Sequence, residues 1–148
     1  MAWAYELWDD LLLTLRDGDN RQRSIAAQVL CNLAKSDPKQ RMSKNLATML
    51  KVTKDEHFVT ARHCLQSLWK VGVAGEPQRK ALLKGLVLRF EECATEKNCT
   101  LIRYDILVVF RRIYDLVSDE KIRATAELLM ATEQDPKYRK KYSAVWRK

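Results

Sequence analysis

Two histidines and four cysteines are the side chains of this chain best suited to metal binding or nucleophilic catalysis. His57 and His63 are six residues apart, so they do not share a helix face, whereas helical metal-binding pairs are three or four apart. Cys93 and Cys99 could contribute to a zinc site only with distant ligands. Cys64 lies at a core position of a helical pattern, where burial raises the pKa of a thiol and disfavours a Cys-His nucleophile. The sequence therefore predicts no metal site.

Glycine-dependent phosphate and nucleophile motifs are also missing. The sequence contains none of the patterns GxGxxG, GxxxxGKS/T and GxSxG. Its four glycines are too few for the close backbone approaches that such sites need. We therefore expect no cofactor, no catalytic residue and no enzymatic activity.

Basic residues dominate the charge of the chain, which is +8 at pH 7. The excess is concentrated in residues 137–148, which carry six bases and no acid. Such a segment can attract nucleic acid, acidic proteins or anionic lipid, and its charge alone does not distinguish among them. The tail residues predicted to contact a partner are Arg139, Lys140, Lys141 and Arg147.

The same tail carries a stripe of large side chains. Tyr138, Tyr142, Val145 and Trp146 fall on one helical face, and the bases occupy the rest. One interpretation is a capping helix over residues 137–148, which covers the last apolar face of the domain and exposes a polar one. The alternative is a basic amphipathic segment that grips phosphates or a membrane surface with its rings at the interface.

Length and composition are those of one compact domain. The chain has 148 residues, of which 47% are hydrophobic, with four glycines and three prolines. No apolar run approaches the about 18 residues that span a bilayer, and acids interrupt the apolar N-terminal stretch, unlike a secretory signal. A single domain over residues 1–148, no membrane span and a cytoplasmic location are expected. Buried thiols of a reducing compartment are predicted at Cys31, Cys64, Cys93 and Cys99.

Apolar residues recur at helical spacing along the chain and predict eight helices and no strand. Gly18 ends the first helix and Asp19 can cap the second, so these two form a hairpin. All three prolines follow an acidic residue, as expected for a capping acid and a proline in the first helical turn. The predicted helices cover residues 3–15, 19–36, 38–50, 58–68, 77–94, 99–117, 119–133 and 136–148.

One apolar pattern recurs along the chain at offsets of 35 and 80 residues. Repetition at this scale is typical of stacked helical hairpins, of which the length allows about four. At the offset of 35, Ala26, Leu30 and Leu33 align with Ala61, Leu65 and Leu68. At the offset of 80, the aligned pairs are Arg23 with Arg103, Ala26 with Ile106, Leu30 with Phe110, and Leu33 with Ile113.

The stretch from Asp17 to Leu33 resembles the second half of a HEAT repeat, with acidic turn residues, an arginine, and then Ala, Leu and Leu at the usual steps. The likeness covers most of the chain but is looser elsewhere, since Phe58 stands at the arginine position of the second unit. It implies a right-handed alpha-alpha superhelix of about four antiparallel hairpins, whose second helices line a concave surface.

Arg23 and Arg103 occupy equivalent positions of this repeat. In HEAT-like proteins the arginine at this position commonly pairs with turn acids. The resemblance therefore implies a structural role, with Asp17, Asp19 or an acid of a neighbouring unit as the partner of Arg23.

The implied concave surface would carry mainly basic and aromatic side chains. Such residues favour a small scaffold or adaptor that binds another protein, because Trp, Tyr and Arg dominate the energy of many interfaces. The alternative function is nucleic-acid binding through bases of the concave face and the tail. A third interpretation is an ordinary solvated helix surface. The predicted contact residues are Arg62, Trp69, Lys70, Tyr104, Arg111 and Arg112.

Two HEAT-like enzyme classes bear on this chain. Some HEAT-like oxygenases bind iron through His-Glu dipeptides, and this sequence contains none. Another class excises alkylated bases from DNA with aromatic and acidic residues on a basic concave face. Trp69, Asp105 and Arg111 are the candidates for that chemistry, but no matching motif accompanies them.

Overall fold

The computed structural model describes residues 5–147, and every regular element in that range is helical. The predicted all-α class is therefore confirmed. Trp3, which belongs to the predicted first helix, lies outside the described residues. Two 3-10 turns occur at Ala34–Ser36 and Cys93–Thr95. The helical segments are α1 Trp8–Asp17, α2 Asn20–Leu33, α3 Arg41–Val52, α4 Phe58–Ser67, α5 Trp69–Gly72, α6 Glu76–Glu92, α7 Cys99–Val117, α8 Glu120–Ala131 and α9 Pro136–Trp146.

The chain divides into two compact units, one up to Leu82 and one from Leu83 onward, and the boundary falls within α6. In the first unit α1 pairs with α2, α3 pairs with α4, and α2 packs on α4. In the second unit α7 packs on α8, and α9 packs on both of them. The helix predicted over residues 58–68 corresponds to α4, and after an interruption at Leu68 the short α5 continues beyond the predicted end.

The break between α1 and α2 follows from two neighbouring residues. At Gly18 an added Cβ would lie 2.7 Å from the carbonyl oxygen of Thr14, so only glycine fits this close approach. The Asp19 carboxylate accepts a hydrogen bond from the backbone N–H of Gln22 at 2.8 Å, and the Gln22 side chain accepts one from the Asp19 N–H at 3.0 Å. This capping box satisfies two N–H groups that the helix start would otherwise leave unpaired, as the sequence predicted for Asp19.

Acid-proline pairs begin helices at two of the three predicted places. Asp135 caps α9 by accepting from the Lys137 N–H at 2.9 Å, and Pro136 is the first helical residue. At the second pair, Glu76 is itself the first residue of α6.

The first acid-proline pair does not begin a helix, and the predicted start at Pro38 is wrong. Gln40 adopts left-handed backbone with a φ of 50°, so the chain turns before α3 begins at Arg41. The Asp37 carboxylate nevertheless caps α3, because it accepts from the N–H groups of Arg41 and Met42, both at 2.8 Å.

The repeated apolar pattern marks equivalent core positions in both units. Every residue of the aligned sets, apart from the arginines, is less than 10% exposed. Ile25, an apolar residue next to Ala26 in α2, is 52% exposed and does not belong to the core. The buried aligned residues are Ala26, Leu30, Leu33, Ala61, Leu65, Leu68, Ile106, Phe110 and Ile113.

The cysteines divide into two kinds. Cys31 and Cys64 are buried free thiols, as predicted, and burial raises the pKa of Cys31 to about 12 and that of Cys64 well above its usual range. Cys93 and Cys99 instead form a disulfide, so the prediction of four free thiols is wrong. The turn after α6 folds back onto the start of α7 and brings the two Cα atoms to 5.2 Å.

The loop closed by this disulfide carries the partner of a buried arginine. Arg89 of α6 is 2% exposed. Its Nη1 and Nη2 donate to the two carboxylate oxygens of Glu96 at 2.6 and 2.7 Å. The loop conformation therefore determines whether a buried guanidinium keeps its carboxylate.

We expect alkylation of the denatured, unreduced protein to label two cysteines, Cys31 and Cys64, because the other two are bonded. After reduction, all four cysteines should be labelled. Reduction should also lower the free energy of unfolding by about 2 kcal/mol, the size expected for a disulfide that closes so short a loop. Intact-mass spectrometry counts the adducts, and urea unfolding with and without a dithiol reductant gives the stability difference. Four adducts without reductant would contradict the disulfide.

Candidate interaction surface

Arg23 joins both hairpins of the first unit. Its Nη1 donates to the carbonyl oxygen of Gly18 at 2.7 Å, just after α1. Its Nε and Nη2 donate to the two carboxylate oxygens of Asp55, in the turn between α3 and α4, at 2.9 and 3.1 Å. The partner is thus an acid of the neighbouring hairpin, one of the alternatives predicted, and not Asp17 or Asp19.

The pKa of Asp55 agrees with this pairing to Arg23. Burial alone would raise the pKa of Asp55, but hydrogen bonds from Arg23 and from the His57 N–H, together with the guanidinium charge, outweigh burial and lower it. The two side chains are only 17% and 11% exposed, so the pair is largely shielded from water.

Arg103 repeats the arrangement in the second unit. Its Nε donates to the carbonyl oxygen of Phe90, in α6, at 2.9 Å, and its guanidinium lies 4.8 Å from the Phe90 ring centroid. Its Nη1 lies 3.8 Å from Glu133, in the turn between α8 and α9. Arg23 and Arg103 therefore use the same two kinds of partner, a carbonyl of the preceding helix region and an acid of the following inter-helix turn.

A row of polar contacts follows the seam between α2 and α4 in the first unit. Thr60 Oγ1 donates to the Asn20 carbonyl oxygen at 2.9 Å, and His63 Nδ1 lies 3.2 Å from Ser24 Oγ. Farther along, Lys70 Nζ donates to Asn32 Oδ1 at 2.6 Å. The seam between these second helices is thus polar at its surface while the core beneath it is apolar.

Three predicted contact residues lie along this α4–α5 surface. Arg62 is half-buried, with its guanidinium 5.9 Å from the Phe58 ring centroid. Trp69 is half-buried, and the Lys70 ammonium lies 5.8 Å from its ring centroid. Arg62 and Trp69 are seven residues apart, about two helical turns, and Lys70 directly follows Trp69.

The other three predicted contact residues lie on α7 in the second unit. Tyr104 and Arg111 are half-buried, and Arg112 is exposed. Arg111 Nε donates to Asp115 Oδ1 at 2.9 Å, and its guanidinium lies 5.5 Å from the Trp146 ring centroid. The structure therefore places the six predicted residues in two groups of three, one on each unit.

Asp105, a candidate for base-excision chemistry, is 2% exposed in α7. An acid that assists a reaction on a bound base has to reach the surface that binds it. The burial of Asp105 argues against that role.

The tail helix α9 packs by its aromatic face. Tyr142 is fully buried and Trp146 is 5% exposed, while Tyr138 and Val145 are half-buried. The Trp146 ring lies 5.5 Å from the Tyr114 ring centroid. The rings therefore belong to the interior of the unit and are not offered to a partner.

A buried polar cluster joins this helix to Arg103. The Tyr142 hydroxyl donates to the Thr100 carbonyl oxygen at 3.2 Å. Burial and the neighbouring charge of Glu133 raise the pKa of Tyr142, so it remains a neutral donor. Since Glu133 also faces Arg103, the position of α9 depends on the same acid that pairs with the repeated arginine.

The tail bases differ in how they are held. Arg139 Nε donates to the Glu133 carbonyl oxygen at 2.9 Å, and its Nη2 donates to that of Gln134 at 3.3 Å. Lys140, Lys141 and Arg147 are exposed and make no ion pair with any residue between 5 and 147. Among the described residues, Arg139 is the one predicted tail contact that has a polar partner within the chain.

A cavity of about 540 Å³ lies in the first unit, beside the Arg23–Asp55 pair. The sequence did not reveal it, because its walls come from α1, α2, α3 and the following turn. Charged groups of both signs surround it, so it does not favour a ligand of one charge. Its lining residues include Leu15, Arg16, Thr48, Lys51, Val52 and Glu56.

The chain matches no protein-family model, no curated protein and no solved structure. In the part of the chain that the structure describes, no three metal-ligating side chains cluster. No helix within residues 5–147 is long and apolar enough to cross a membrane.

We expect the substitution Asp55→Asn to lower the free energy of unfolding at pH 7 by about 1–3 kcal/mol, because Arg23 loses a charged acceptor. The pKa of Asp55 is lower in the folded than in the unfolded state, so its contribution is complete above the unfolded value and is lost as the pH falls through the folded one. Urea unfolding across acidic pH should therefore show wild type and variant converging.

Asp17→Asn is the matched control, since Asp17 is exposed and does not pair with Arg23. It should change stability by less than about 0.5 kcal/mol. Equal losses in both variants would contradict the assignment of Asp55 as the partner.

For the tail helix, Trp146→Ala should lower the free energy of unfolding by about 3–5 kcal/mol, because it leaves a cavity beside Tyr114. Trp146→Phe should cost less than about 1.5 kcal/mol, since the buried Nε1 has no hydrogen-bond partner to lose. Lys140→Ala, on the exposed side of the same helix, is the control and should be neutral. An unchanged midpoint of urea unfolding for Trp146→Ala would show that α9 is not packed in solution.

Proposed function

We propose that this chain is a small HEAT-like scaffold or adaptor, a right-handed superhelix of about four hairpins that binds another protein through the surface of its second helices. The single observation that carries the proposal is the recurrence of the arginine arrangement at Arg23 and Arg103. Two residues 80 positions apart engage the same two kinds of partner, a backbone carbonyl and an acid of an inter-helix turn. This recurrence supports a repeated unit, and repeated hairpins provide extended binding surfaces.

The side chains of the proposed surface are partly ordered before a partner binds. Lys70 is bonded to Asn32, Arg111 to Asp115, and Arg62 rests near the Phe58 ring. Immobilising a long side chain on binding costs about 0.5–1.5 kcal/mol, and prior ordering reduces that cost. Half-buried arginine and tryptophan are also typical energetic centres of protein interfaces.

These same contacts make the surface less suited to non-specific phosphate binding. A base that already pairs within the chain must exchange that contact for a phosphate. The protein-binding function therefore fits Arg62, Lys70 and Arg111 better than the nucleic-acid alternative does.

The proposal is tested by placing a photo-crosslinking amino acid at Trp69 or Tyr104 in the full chain and irradiating it in its native cell extract. Both positions should capture the same partner, because both lie on the proposed surface. Crosslinkers at Ala47 and Leu128, exposed on α3 and α8, are the controls. Capture of the same species at control positions, or different species at the two surface positions, would count against the proposal.

With that partner purified, Arg62→Glu and Arg112→Glu should each weaken binding by at least about tenfold, as loss of an interface hot spot does. Lys44→Glu and Lys121→Glu make the same charge change at exposed positions of α3 and α8, one in each unit. They should leave the dissociation constant within about twofold, a difference well under 1 kcal/mol. If calorimetric titrations showed that surface and control variants change the dissociation constant equally, the binding would be general charge attraction and not recognition by a defined surface.

A further inference from the structure

The packing of α9 determines which of its side chains face outward. Because Tyr142 and Trp146 are buried, the opposite side of the helix is exposed. Lys137, Lys140 and Lys141 occupy that side, and all three are exposed. We call these three residues the lysine face.

The lysine face is compact and has a single sign of charge. Positions 137, 140 and 141 are three and four residues apart, so their side chains lie within one helical turn, about 6 Å along the axis. None of the three ammonium groups makes an ion pair with a residue between 5 and 147, and Lys137 approaches only the Tyr138 ring, at 5.5 Å. Arg147 adds a fourth exposed base just beyond the helix.

We propose that the lysine face binds the phosphate backbone of duplex nucleic acid without sequence preference. A duplex carries one negative charge per about 1.7 Å of its axis, so it presents phosphates to three clustered lysines in any register. Lysine is a compact point charge and requires no defined acceptor geometry. Arg139, on the same helix, has its guanidinium bonded to two backbone carbonyls.

Single strands and membranes fit this surface less well. Proteins that bind single strands stack bases on exposed aromatic rings, and helices that bind membranes insert apolar side chains. The large side chains of α9 pack inward instead, and the outward side offers Ala144 and Ser143 beside the lysines. The lysine face therefore offers a single strand or a membrane electrostatic attraction without a stacking or inserting side chain.

An acidic protein is the remaining alternative. Such a partner would have to place several carboxylates opposite the lysines, and it would gain no apolar anchor from this side of α9. A duplex needs no such match. The lysine face therefore favours a phosphate polymer, and this inference does not depend on the protein-binding function proposed for the second helices.

The experiment uses the full chain and a fluorescently labelled 20-base-pair duplex of arbitrary sequence, with anisotropy measured over a range of salt. Wild type should bind at low salt and weaken as salt rises. The triple variant Lys137→Gln, Lys140→Gln, Lys141→Gln should lower the slope of log affinity against log salt by about 0.9 for each lysine that contacts a phosphate. The same change at Lys44, Lys51 and Lys80, which are exposed elsewhere, is the matched control and should leave the slope unchanged.

Four results would overturn the proposal. The proposal is excluded if the wild type does not bind the duplex at the lowest salt. It is also excluded if the control triple variant lowers the slope of log affinity against log salt as much as the lysine-face variant does. Equal affinity for polyglutamate of matched charge would assign the surface to acidic proteins. Binding to phosphatidylserine vesicles without duplex binding would assign it to membranes. Because the lysines are exposed, circular dichroism and thermal melting should show that both triple variants stay folded.

Discussion

A guanidinium near the start of a second helix ties neighbouring helical hairpins together in each unit. Arg23 spans from the end of α1 to the turn before α4, and Arg103 spans from α6 to the turn before α9. Only arginine has five donors in a planar fork, so one side chain can satisfy a helix-end carbonyl and a carboxylate together. Without the guanidinium, each carboxylate would keep its backbone donor but lose its charged partner in a place that neighbouring helices largely shield from water, and that cost favours one register of the hairpins.

This constraint divides the bases of the chain into two classes. Arginines at helix seams, such as Arg89 and Arg103, have fixed partners and serve the fold. Lysines on outward faces, such as Lys140 and Lys141, have none among the described residues. The overall excess of positive charge therefore says little about binding until each base is assigned to one class or the other. By this assignment Arg23 serves the fold, and the bases accessible to a partner include those on the outer side of α9.

Local patterns predicted much of the fold. The bounds of α7 agree with the predicted residues 99–117, because an apolar face with helical spacing determines a helix. Pairings across the chain could not be predicted in the same way. Asp55 is 32 residues from Arg23, and several other acids were equally plausible partners on sequence grounds. Likewise, a spacing of six between Cys93 and Cys99 does not reveal that the intervening turn brings them together. Such contacts follow from packing, which a single sequence does not specify.

The proposed binding surfaces depend on the same constraint. Glu133 faces Arg103 on one side and the buried Tyr142 hydroxyl on the other, so the acid that pairs with Arg103 also positions α9. If that cluster were replaced by apolar residues, α9 could rotate without breaking a hydrogen bond, and the lysines would lose their common outward direction. A buried polar group costs more to misplace than an apolar one, which makes it an effective determinant of helix orientation. The direction of the exposed charge is in this way set by a contact inside the core.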